Sequence, residues 1–136
     1  MHILYLEDSD VKIAELEKCV TSSGHTLVAC RTISSAITAL EEHSFDFVLI
    51  GIHLQSENAF DLVRFIREHP RLTNLPVILL DSYQTRIAKA VTDSLQVVCR
   101  MMDAHYLAME GFNSKQLIEQ IEQLMEEHTA KSKAVL

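Results

Sequence analysis

No stretch of this chain stays apolar long enough to cross a membrane, and no signal-peptide pattern precedes Met1-His2-Ile3. Glycine is scarce, three in 136 residues, and none stands in a phosphate-cradling loop. No nucleophile–base pair is evident either, so an independent enzyme is not expected. The three cysteines, Cys19, Cys30 and Cys99, are widely spaced with no CxxC pair. They read as reduced thiols of a cytoplasmic protein, not as a disulfide framework. Seven histidines show neither HxxxH nor HExxH spacing, which argues against a zinc motif. Basic residues are outnumbered 12 to 19, and the net charge of -7 argues against non-specific binding to nucleic acid.

What is present is an ordinary globular composition, 48% hydrophobic and 23% charged, with length enough for one domain. Residues 1–128 read as that domain. Residues 129–136, with the polar run Ala130-Lys131-Ser132-Lys133, read as a tail or linker.

His2 to Leu6 is an apolar run that breaks into Glu7-Asp8-Ser9-Asp10, a strand followed by an acidic helix start capped by Ser9. Ile13, Leu16 and Val20 recur at helical spacing until Ser22-Ser23-Gly24 ends the helix. His25 to Cys30 reads as a second strand. Thr32 then caps a helix with Ile33, Ala36, Ile37 and Leu40 on its inner face. Phe45 to Ile50 is a third, buried strand, broken at Gly51. A third helix carries Phe60, Val63 and Phe65-Ile66 and stops near His69-Pro70. Pro76 to Leu80 is a fourth strand.

The spacing of Ile87, Val91, Leu95, Val98 and Met101-Met102 predicts a long helix from Gln84 to about Met102. Ala104 to Met109 is a fifth strand. Asn113 and Gln116 fit a capping box that opens a last helix with Leu117, Ile121 and Leu124 inward. Strands alternating with helices predict an α/β fold: a doubly wound, parallel five-stranded sheet of flavodoxin-like order, a (βα)5 sandwich. That order places Glu7-Asp8, Gly51 and Asp81 at neighbouring strand ends, where open sheets of this kind put their chemistry. Two carboxylates ~5 Å apart repel by roughly 3 kcal/mol at an effective dielectric near 20. Such a cluster must raise one pKa, take a cation or turn its charges out to water.

Six pieces in this order resemble the receiver domain of two-component response regulators. They are Ile3-Leu4-Tyr5-Leu6-Glu7-Asp8, Phe45 to Ile50, Leu62 to Arg67, Leu75 to Leu80, Tyr106-Leu107 and Phe112-Asn113. The resemblance implies an aspartate phosphoacceptor at the end of the third strand and an acidic pair that holds Mg²⁺. It also implies a Ser or Thr after the fourth strand and a Lys after the fifth. Here the acidic pair survives as Glu7 and Asp8, but Gly51 holds the acceptor position. Asp81 holds the hydroxyl position, with Ser82 beside it. Met109, or Glu110 in the alternative register, holds the lysine position.

Phosphoryl transfer needs an in-line nucleophile and fixed positive charge, and this degenerate site offers neither. The expectation is a pseudo-receiver: a phosphorylation-independent interaction or dimerisation module, which a longer transcriptional regulator would carry as its regulatory domain. Two alternatives remain: a phosphorelay receiver using a non-standard acceptor, and a cation or small-ligand sensor in the vacated crevice. No cofactor is required, but Glu7, Asp8 and the carbonyl of His53 could hold Mg²⁺ or Ca²⁺ weakly. The His53 imidazole could instead titrate as a pH switch.

The resemblance also implies an output face made by the fourth helix, fifth strand and fifth helix. There Tyr106 matches a rotamer-switching aromatic. The Asp81–Met109 interval exceeds the family's by more than a helical turn. Val98, Met101 and Met102 on the longer helix then form either core or an interface to a protein partner or a second copy.

Overall fold

Every strand of the sheet is short, and the three central ones are apolar at nearly every position. The computed structural model describes residues 1–81, 88–108 and 114–135. In chain order these form β1 (His2–Leu6), α1 (Asp10–Ser22), β2 (Thr26–Cys30), α2 (Ile33–Glu42) and β3 (Phe47–Gly51). They continue with α3 (Ala59–Glu68), β4 (Val77–Asp81), α4 (Ala88–Met101), β5 (His105–Ala108) and α5 (Ser114–Val135). The strands pair in parallel in the order β2-β1-β3-β4-β5, the doubly wound arrangement that the alternation predicts.

Side chains alternate between the two faces of the sheet with period two, and each face has its own core. Leu4, Leu6, Val48, Ile50, Val77 and Leu79 pack with buried residues of α2 and α3 and with Cys99 of α4. Ile3, Tyr5, Phe47, Leu49, Ile78 and Leu80 pack with Ile13, Leu16 and Val20 of α1 and Leu117, Ile118 and Ile121 of α5. Burying one such Leu or Ile contributes about 2 kcal/mol, so the central strands set most of the stability.

The helix starts follow their capping residues. The Ser9 hydroxyl accepts from the Lys12 amide, and Thr32 and Ser35 form a reciprocal capping box. Asn58 Oδ1 accepts from the Phe60 amide at 3.0 Å and opens α3. Gly24, at φ +82°, takes the left-handed turn after α1 that a side chain would resist.

Several boundaries differ from the sequence reading. β3 begins at Phe47, because the Asp46 amide and carboxylate are spent on the backbone of His2 while Phe45 stacks on the His2 ring. Gly51 does not break the strand; it pairs with Leu80 as the last rung of β3. β5 begins at His105, one residue later than the sequence reading places it, and Met109 lies outside the described residues. Helical backbone continues to Val135, through the stretch whose composition suggests a tail.

On α4 the sequence leaves open whether Val98, Met101 and Met102 are core or surface, and the structure divides them. Buried Cys99 turns inward and Met102 just beyond packs on the core, Leu95 is half-buried, and Val98 and Met101 face outward. Two stripes at helical spacing compete on this helix, and the one carrying the thiol faces the sheet. Gln84 to Ile87 and the proposed Asn113 cap lie outside the described residues.

Candidate functional site

The ends of β1, β3 and β4 bring Glu7, Gly51 and Asp81 to one rim, as the strand order requires. Glu7 and Asp81 are each only 4% exposed. The carboxylates therefore do not turn out to water. Each is answered by donors from the chain itself.

Glu7 folds back onto the start of α1. Its Oε2 accepts the amides of Asp8 at 2.8 Å and Ser9 at 3.2 Å, and Oε1 lies 3.9 Å from Lys12 Nζ. Free amides and the positive end of the helix suit a carboxylate there. Buried Tyr5 lies beneath it: burial first, and then the Glu7 carboxylate, raise the phenol's pKa well above its ordinary value. Asp8 turns the other way, its Oδ2 accepting the Gln55 amide at 2.7 Å.

His53 brings its imidazole to the rim: Nε2 lies 2.7 Å from Asp81 Oδ1. The second oxygen of Asp81 accepts the hydroxyl of Tyr106 on β5. The position that the resemblance gives to a small hydroxyl is thus a buried carboxylate joining the β3–α3 loop to the edge strand. Glu57 in the same loop accepts the Ile33 amide at 3.0 Å and fastens the loop to α2.

The predicted metal set Glu7, Asp8 and His53 is thus spread over three separate hydrogen-bonding arrangements. No group of three metal-capable side chains gathers among the described residues. Met109 and Ser82 lie outside the described residues.

Lys12 is the site residue that the sequence reading missed. A lysine in the first turn of a helix faces the unfavourable end of the dipole, which signals a nearby carboxylate. On the outer side of α4, Met101 is 81% exposed, Val97 48% and Val98 37%. A shallow cavity of about 330 Å³ lies beside them, lined by Gln96, Cys99, Arg100, Ala104, His105 and Tyr106. A wider cleft of about 800 Å³ opens at the far end of the sheet, near Asp46, Pro76 and Glu122, and touches none of the rim residues.

No family model matches the chain. Among curated proteins it is similar to the TorCAD operon transcriptional regulatory protein TorR of Escherichia coli K12, 29% identical over 90 residues. That match covers 66% of this chain and 38% of TorR, so the chain matches well under half of its relative's length. The crystal structure of the TorR receiver domain superposes with a TM-score of 0.73 at 26% identity, covering 93% of this chain and 97% of that one. NtrX from Brucella abortus superposes at 0.81 with 18% identity, covering 98% of this chain and 28% of NtrX, and shares the fold. Strand order and these comparisons agree on the architecture: the chain has the CheY-like receiver fold that the receiver domain of TorR also has.

Proposed function

We propose that this receiver works without accepting a phosphoryl group, as an interaction or dimerisation module in signal transduction. The observation that supports this most is the end of β3. Gly51 offers no nucleophile there, and the adjoining space holds the carboxylate of Glu7. Asp81 adds negative charge where an incoming phosphoryl group would need a donor. An enzymatic role has no support in the rim, whose polar groups are engaged in holding loops together.

The signal then passes by binding through the face made by α4, β5 and α5, to a protein partner or a second copy. The outward Val97, Val98 and Met101 support this reading, since an adaptable apolar stripe with no core to fill suits a partner surface. By analogy with TorR, whose name makes it a transcriptional regulator, the domain would be the regulatory part of a longer cytoplasmic regulator. Nucleic acid would be bound by another segment, if at all, and no membrane contact is needed. Light scattering on wild type and Met101→Glu tests the interface. The wild type should self-associate, and the variant should remain folded and become monomeric. A wild type that is monomeric at every concentration removes the dimer from the proposal.

A further inference from the structure

Gly51 has no positive φ, so its backbone does not require glycine. Its space does. A Cβ at this position would lie 2.6 Å from Glu7 Oε1 and 3.1 Å from Glu7 Cδ, closer than a side chain tolerates. We infer that Glu7 is the standing occupant of the volume that any side chain at position 51 would need, an internal contact that closes the crevice. The inference rests on the reading of a receiver that does not take phosphate, and supplies its physical cause. Glu7 holds the amides of Asp8 and Ser9 and faces Lys12. These are the donors that an incoming anion would otherwise meet. A carboxylate committed to them is also not offered to a cation.

The atom in the way is the far end of a flexible side chain. A side chain at 51 therefore evicts Glu7 instead of preventing folding, and the eviction costs Glu7 its contacts with the start of α1. Gly51 and Glu7 act as a pair. The small residue is kept because the large one occupies its place.

A double-mutant cycle on the full chain tests this with wild type, Gly51→Ala, Glu7→Ala and the double variant. Gly51→Ala adds one methyl group and no charge. It should lower the melting temperature by about 5 °C in the wild-type background and by almost nothing once Glu7 is alanine. Equal shifts in both backgrounds, including no shift in either, overturn the inference. Glu7→Ser replaces Glu7→Ala should the latter not fold.

A second readout separates closure of the crevice from packing alone. With Mn²⁺ as probe, Gly51→Ala should bind at least tenfold more tightly than wild type, and the double variant should lose that gain. Equal Mn²⁺ affinity in wild type and Gly51→Ala overturns the closing role. Phosphate uptake by the wild type would instead remove the functional reading while leaving the outcome of the cycle untouched.

Discussion

His53 Nε2 lies 2.7 Å from Asp81 Oδ1, and this contact ties the loop after β3 to the end of β4. The other oxygen of the same carboxylate accepts the Tyr106 hydroxyl, so one buried group holds a rim loop and an edge strand together. A hydrogen bond to a charged group contributes about 1.5–3 kcal/mol. Tyr106→Phe should therefore lower the free energy of unfolding by about 1.5 kcal/mol in urea titrations. Asp81→Ala, which removes the acceptors of both bonds, should cost about 3 kcal/mol. A cost below about 0.5 kcal/mol for both variants would mean that the carboxylate does not hold the strand.

Arg67 performs a comparable task at the opposite end of the sheet. Its Nε donates to the Met102 carbonyl at 3.1 Å, and Nη1 to those of Thr73 at 2.9 Å and Leu75 at 2.7 Å. Nη2 donates to Asp103 at 2.6 Å, a residue in the left-handed region at φ 53°. Burial lowers the guanidinium pKa and nearby Asp103 partly offsets this. Arg67→Ala should cost about 3 kcal/mol, and Arg67→Lys should recover less than half of it, because one ammonium cannot reproduce the planar fork. Full recovery by lysine would show that charge alone matters at this position.

The thiols make a pH prediction. Burial raises Cys99 from its ordinary 9.0 to about 11 and also pushes Cys30 up. A thiol whose folded pKa exceeds its unfolded value binds its proton more tightly when folded. Its contribution is complete below pH 9 and declines as the pH climbs towards about 11. The melting temperature should fall across that window, and less steeply in Cys99→Ala. Ellman's reagent on the native protein should label half-buried Cys19 first, and Cys30 and Cys99 only on unfolding. Rapid labelling of Cys99 in folded protein would contradict its burial on the inner face of α4.

Much of this architecture is legible in short stretches of sequence, because the relevant physics is local. The apolar runs at Ile3–Leu6 and Val77–Leu80 admit little but buried strands, and Ser9 and Thr32 announce their helices. The inner face of α4 is less legible. Leu95–Cys99–Met102 and Leu95–Val98–Met101-Met102 both fit a helical stripe, and only contact with the sheet chooses between them. At the rim, residue types and strand ends are readable, but the destination of each carboxylate is not. Whether Glu7 meets its neighbouring amides and Lys12, or joins Asp8 around an ion, depends on the volume left by Gly51, 44 positions further along the chain. The His53–Asp81 pairing likewise depends on the path of the loop from Ile52 to Asn58, which no periodicity encodes.

The central claim is that the rim does not accept phosphate. Its most direct test is incubation of the purified chain with acetyl phosphate and Mg²⁺, followed by intact-mass measurement. The account predicts an unchanged mass under conditions that phosphorylate a receiver with an aspartate at the end of its third strand. A stoichiometric gain of one phosphoryl group on the folded wild type, abolished by substitution of one residue, would contradict it.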